Sequence, residues 1–424
     1  MNNNLIFFLL FLFSFFFLNS TTAQFSVQGT IRPRAEYRNG YQQMPDSITS
    51  PAFFISNRLR LALEFKNEKL SFKASLQEVR TWGSLNLKSE SATLGLNEAW
   101  AEIKITDSLF LKLGRQGLNY DNQRLLAVND WRQSGQYHDA LLIKFKHKGW
   151  NFQMLGAYNQ SEERLFNTYY DNSSEPLKGN YKTLSFLWID KKWGKVNVAA
   201  LALADGLPVS KTSNRIYQRI TTGAAFRYTP GDYQLSIRAY SQNGKNNKGT
   251  SLSAWYFNAE ASIPFSSKLK VIPGIDILSG DDNMEDNRLT AFSTLYGAGH
   301  AHNGHMDYFT NVLAQTDSAG LSNIYLKFDY SINKAVSLIA DFHYFALQSN
   351  HVATDGKIEK YLSSEADLAC KINFTREMNL QFGYSFMLHN SSMNHFFKGD
   401  PSLYADFGWV MLTINPVLFQ SVKK

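Results

Sequence analysis

The segment Asn57–Lys66, NRLRLALEFK, places Leu59, Leu61, Leu63 and Phe65 at odd positions and Arg58, Arg60, Glu64 and Lys66 at even ones. Successive side chains on a strand point to opposite sides, so this period of two reads as a strand with one apolar and one polar face. The next segment, Leu70–Gln77, repeats it: Leu70, Phe72, Ala74 and Leu76 oppose Ser71, Lys73, Ser75 and Gln77. Far downstream, Trp255, Phe257, Ala259, Ala261 and Ile263 alternate with Tyr256, Asn258, Glu260 and Ser262. Near the end, Met378, Leu380, Phe382, Tyr384 and Phe386 alternate with Asn379, Gln381, Gly383 and Ser385.

Outward from these, 18 segments of this kind begin near residues 25, 52, 69, 94, 108, 136, 150, 180, 193, 215, 232, 252, 268, 321, 335, 361, 376 and 404. Tight polar turns follow the even-numbered segments, as at Asn67–Glu68 and Asp190–Lys192. Longer loops follow the odd-numbered ones, near 39–51, 81–93, 117–135, 160–179, 206–214, 244–251, 279–320, 347–360 and 389–403. A soluble sandwich has no reason to sort its connections by length. A transmembrane barrel does, with short turns on the periplasmic rim and long loops outside. Each segment runs about 9–14 residues, enough for a tilted crossing of a hydrocarbon layer roughly 25–30 Å thick. Closure pairs every backbone N–H and C=O that lipid would otherwise strand. The expected fold is therefore all-β: an 18-stranded antiparallel transmembrane β-barrel with short periplasmic turns and long extracellular loops, apolar side chains to lipid and polar ones to the lumen.

Composition agrees. The 424 residues include 32 Phe, 21 Tyr and 8 Trp, more aromatics than a soluble core needs. Trp82, Trp150, Trp188, Trp193, Tyr228, Tyr233 and Tyr330 fall near segment ends, as an interfacial girdle would. A net charge of +7 is far from a nucleic-acid-binding tail, and the lone Cys370 excludes a disulfide framework or a cysteine-rich metal site. Residues 5–18, LIFFLLFLFSFFFL, suit the apolar core of a signal peptide cleaved after Ala23, although Asn2–Asn4 carry no positive charge. The expected division is signal peptide 1–23 and barrel 24–424, exported to the outer membrane of a Gram-negative bacterium.

A barrel of 18 strands is wide enough for an aqueous channel, so the lumenal charges matter. Parity sends Arg32, Arg34, Arg38, Arg58, Arg60, Lys73, Lys104, Lys112, Arg219, Arg227 and Arg238 inward, with Glu36, Glu64, Glu98, Glu102, Asp276, Asp341, Glu365 and Asp367 among the acids. The densest group, Arg32, Arg34, Arg38, Arg58 and Arg60, sits on two strands joined by one loop. Two readings are open: an arginine ladder selecting anions, or a self-neutralised ion-pair lattice stiffening the wall.

The stretch Leu111–Ala140, LKLGRQGLNYDNQRLLAVNDWRQSGQYHDA, resembles the alginate-export family of bacterial outer-membrane barrels through Gly114, Arg115, Gln116, Tyr120, Arg124, Leu125, Asp130, Trp131, Arg132, Asp139 and Ala140. Asn57-Arg58-Leu59-Arg60, Glu98-Ala99-Trp100, Ser279-Gly280-Asp281-Asp282 and Tyr296–Asp307 look similar too. The resemblance implies a basic pore that passes an anionic uronate polymer without cleaving it. It leaves open whether Arg115, Arg124 and Arg132 meet the carboxylates of a passing polymer or pair with Asp121, Asp130 and Asp139 to shape the loop. Trp131 reads equally as a sugar-stacking face and as packing under the loop.

No motif of a serine hydrolase, zinc protease or nucleotide-binding loop occurs. His300, His302, His305 and Asp307 could ligate a metal, and Asp281, Asp282, Glu285 and Asp286 could bind Ca²⁺, but both clusters lack a fixed scaffold or the known loop spacing, so no metal or cofactor is expected. His343, Asp341 and Ser337 share one face of one strand, the sole hint of a barrel hydrolase. The expectation is a non-enzymatic channel for anionic polysaccharide or oligosaccharide, with a general small-solute porin of mixed charge as the alternative. Expected partners are outer-membrane lipid and that solute, with periplasmic export or assembly proteins as open candidates and no nucleic acid.

Overall fold

The computed structural model describes residues 23–88, 93–172, 179–282, 286–353 and 356–421. Residues 1–22 of the expected signal peptide, and Glu285, lie outside them. Eighteen strands form the wall: β1 Gln24–Asn39, β2 Ala52–Lys66, β3 Leu70–Thr81, β4 Gly95–Lys104, β5 Leu109–Gln116, β6 His138–His147, β7 Trp150–Tyr158, β8 Thr183–Trp193 and β9 Val196–Pro208. They continue with β10 Ile216–Tyr228, β11 Gln234–Lys245, β12 Ser251–Pro264, β13 Leu269–Leu278, β14 Leu321–Ser331, β15 Val336–Ala346, β16 Tyr361–Asn373, β17 Met378–His389 and β18 Ala405–Ile414. Each pairs antiparallel with the next, and β1 pairs with β18 from Asn39↔Asp406 to Ile31↔Ile414, which closes the barrel. Beyond Pro416 the chain resumes the seam, as Val417–Gln420 pairs with Ser26–Gln28 of β1.

Side-chain exposure follows the parity. On β2, Leu59 and Leu61 are 48% and 41% exposed, whereas Arg58, just before them, is 2% exposed. The same inversion holds on β12, where Trp255 is open and Tyr256 and Asn258 are buried. An apolar exterior around a polar interior is stable only where lipid covers it. Trp82, Trp150, Trp193, Tyr228, Tyr233 and Tyr330 stand on the outside near strand ends, as a girdle requires. Trp188 does not. It shares the even, inward parity of Leu184 and Phe186, and its indole N–H donates to Asp121 inside the barrel at 3.2 Å.

The hydrophobic core lies inside the barrel, at its long-loop end. Two long loops fold inward there, 117–137 between β5 and β6 and 279–320 between β13 and β14. Leu118, Leu125, Leu126, Phe292, Met306, Tyr308 and Phe309 of these loops are all but inaccessible, packed with the inward-facing Phe186, Phe345 and Phe407. Burying each such side chain contributes about 1.5–3 kcal/mol relative to exposure, so both loops are folded parts of the protein. Their backbones satisfy one another: Ala127 N–H donates to Tyr296 O at 3.1 Å, Tyr296 N–H to Leu125 O at 3.0 Å and Ala298 N–H to Gln123 O at 3.0 Å. Gly297 permits that approach, because a Cβ there would overlap the Arg124 carbonyl.

Candidate functional site

The arginine group on β1 and β2 forms as its positions predict, with Arg32 directly opposite Arg58. What it faces is the tip of the 117–137 loop. Arg32 Nη1 and Arg58 Nη1 reach the two oxygens of Asp130, each at 2.8 Å. The same guanidinium groups collect backbone carbonyls: Arg32 donates to Asp130 O at 2.8 Å, and Arg58 to Gln133 O at 2.7 Å and Arg132 O at 2.8 Å. The Gln133 amide oxygen accepts from Arg32 Nε at 3.0 Å. Two planar cations thus clamp one turn, 130–133, through charge-assisted bonds, the strong class of hydrogen bond. Burial alone would raise the Asp130 carboxyl; Arg58 and Arg32 outweigh it and hold its pKa below the ordinary 3.8.

Their neighbours are engaged as well. Arg34 pairs with Glu36 at 2.7 Å, donates to Trp131 O at 2.7 Å and lies 3.9 Å over the Trp131 ring. Arg38 takes the other Glu36 oxygen at 2.6 Å, and Arg60 stands 3.9 Å from Asp130. The other face of Trp131 stacks on His300 at 3.9 Å, so this indole packs between the two infolded loops and the wall. Within the clamp, Gln133 and His300 were not legible as partners of these groups, since nothing local in the sequence marks them.

Of the three motif arginines, Arg124 is the most buried, 1% exposed, and pairs with Asp276 of β13 at 2.7 Å rather than with the loop's own Asp121. Asp121 instead accepts from Trp188 and from the Tyr240 hydroxyl at 2.8 Å. Arg115 is out of the lumen: it and Asp139 share the parity of the lipid-facing Leu113 and Leu141, and the two pair across β5 and β6 at 3.0 Å. Arg132 is exposed, with no ion pair among the described residues. Gly114 carries φ +111°, where a Cβ would strike the Ala99 carbonyl. Gln116 is fully buried and donates to Ala140 O at 2.9 Å, and the Tyr120 hydroxyl donates to Gln153 at 2.7 Å; these residues fix the root of the loop.

The rest of the lumenal wall carries mixed pairs: Lys73 with Glu64 and Glu98, both at 3.2 Å, Lys144 with Glu102 at 2.6 Å, Arg219 with Asp205 at 2.6 Å and Lys327 with Asp341 at 3.4 Å. Lys104 pairs with Asp107 on the short-turn rim, and Arg238 donates to Asn258 at 2.6 Å. Lys112 and Arg227 have neither an ion pair nor a side-chain hydrogen bond among the described residues, and Lys112 rests on the Trp100 ring at 3.8 Å.

The 279–320 loop docks on β16 and on the loop that follows β1. Its Met306 N–H donates to Glu365 at 2.7 Å, His300 contacts Asp307 at 2.7 Å, and Asp307 also accepts from the Tyr41 hydroxyl. His305 and His343 stand 3.7 and 3.8 Å from Asp367. Among the described residues no histidine–carboxylate group has metal-holding geometry. His343 Nδ1 lies 3.0 Å from Asn323, and Ser337, six positions along the same strand, is roughly 20 Å away.

A match to the alginate export family runs over residues 23–390, most of the chain, and takes in both infolded loops. The chain belongs to the alginate export family. Solved structures agree on the architecture. OccK9 (OpdG) of Pseudomonas aeruginosa superposes with a TM-score of 0.63 at 13% identity, covering 93% of this chain and 98% of that one. The outer membrane protein OpdK of the same organism gives 0.61 at 10% identity over 94% and 99%, and OpdK has also been solved with vanillate. No curated protein matches the chain by sequence. This alginate export family member is an 18-stranded porin-like channel of the Gram-negative outer membrane.

Proposed function

We propose that this channel passes an anionic oligo- or polysaccharide, such as a polyuronate, without cleaving it. The observation that carries the reading is the charge of the β1–β2 sector, where five guanidinium groups share two carboxylates, Glu36 and Asp130. Such an excess in a confined lumen attracts anions and repels cations. Family membership supports the polymer class. Support for the non-enzymatic part is that His343 has Asn323 and Asp367 beside it and no serine from its own strand within reach.

A second reading, a general porin for small solutes, draws on the mixed pairs along β3 to β15 and on vanillate, a small carboxylate, in OpdK. Planar-bilayer recording of the refolded protein separates them. The polymer reading expects an anion-preferring reversal potential in a salt gradient and block by polyuronate but not by neutral dextran. Openings without charge preference or polyuronate block contradict it.

A further inference from the structure

The arginines clustered on β1 and β2 are already occupied, and other lumenal cations are not. Lys112 of β5 and Arg227 of β10 line one cavity of about 480 Å³, within the roughly 300–1,000 Å³ typical of small-ligand sites. It spans the inward faces of β5 to β10 and is roofed by the start of the 117–137 loop at Asn119, Tyr120 and Asp121. Lys112 is the fourth residue of β5 and Arg227 the last but one of β10, so the cavity lies toward the short-turn mouth, beneath the infolded loops.

Its acids are spent on neutral donors. Asp121 accepts from Trp188 at 3.2 Å and from Tyr240 at 2.8 Å, and Asp190 accepts from the Asn197 amide. Lys144 is committed to Glu102. Arg227 Nε is buried without a hydrogen-bond partner among the described residues, a costly state that a guest acceptor would relieve. Around these cations stand the amides of Gln153 and Asn197 and the indole of Trp188. Such a set suits a carboxylated sugar: carboxylate to the two cations, hydroxyls to the amides, and the C–H face of the ring to the indole.

We infer that the cavity lined by Lys112, Arg227 and Trp188 is a binding subsite for a uronate unit entering from the short-turn side. This deepens the proposed function and rests on it. It also assigns substrate contact to residues other than the arginines of β1 and β2, which hold the loop.

The test is block of single-channel current by a mannuronate trimer added to each side in turn, with maltotriose as the neutral control. Wild type is expected to block from the short-turn side at the lower concentration. Lys112→Gln with Arg227→Gln is expected to raise the half-blocking concentration about tenfold or more, while the small-ion reversal potential stays on the anion side. Lys112→Arg, which keeps the charge, retains block and shows that the wall is intact. Block unchanged in the double variant overturns the subsite and leaves the polymer channel standing. Wild type that is anion-selective but never blocked by the trimer overturns the subsite as well, and loss of both selectivity and block in wild type overturns the proposed function with it.

Discussion

Two sectors of the lumenal wall carry cations, and they are used in opposite ways. On β1 and β2 the guanidinium groups of Arg32, Arg34 and Arg58 are bonded to the turn 130–133 of an infolded loop. Between β5 and β10, Lys112 and Arg227 face a cavity and have no carboxylate partner among the described residues. Density of charge in the sequence therefore marks where the protein grips itself, and the sparser cations are the ones left to a solute. A buried guanidinium must be compensated, and a turn carrying one aspartate and several backbone carbonyls supplies that compensation within the chain.

The largest test of this contrast is Asp130→Ala. It leaves two nearly inaccessible arginines without their carboxylate, at about 1–3 kcal/mol for each, so the thermal midpoint falls and protease cuts within 117–137. An unaltered midpoint and an uncut loop would place the anchor elsewhere.

Acid distinguishes the two infolded loops. A carboxylate with a depressed pKa stabilises the docked state above its ordinary value and loses that contribution as pH falls through the docked one, so the Asp130 clamp persists until below pH 3.8. In the 279–320 loop, burial lowers the pKa of His302, which faces Arg124, Lys327 and Arg238. Burial also lowers His305, which faces Asp367, His300, Asp341 and Lys327. Both are docked in the neutral form, and a released loop takes up protons first, so docking weakens once pH falls below 6.5. Protease accessibility followed from pH 7 to 3 is expected to rise in 279–320 first and in 117–137 only at the acid end. Simultaneous opening would mean that the loops form one unit.

The smallest effect is expected from Arg115→Gln. Its pair with Asp139 is on the outer face and half open, so removal shifts stability by under about 1 kcal/mol and leaves reversal potential and block unchanged. A shift in selectivity would return Arg115 to the lumen.

The wall was legible in the sequence because each strand states its own faces: Leu59 and Arg58 declare opposite sides with no knowledge of the rest of the chain. Parity also states the inward face of Trp188, which is numbered in step with Leu184 and Phe186. The filling of the lumen was not legible. Leu125, Leu126, Met306 and Phe309 have no strand period, and their burial depends on partners distant in the sequence. The fate of Arg32 likewise rests on Asp130, 98 positions away. Position along a strand told which way a charge points, and only the assembled loops told whether it is already taken.

The most direct measurement is single-channel recording of Arg32→Ala with Arg58→Ala beside wild type, in the same salt gradient. Release of the turn 130–133 predicts a severalfold larger conductance, with anion preference weakened but retained through the remaining cations. Unchanged conductance with anion preference abolished would contradict the account, because it would make these arginines the free lining of the pore and not the anchors of its loop.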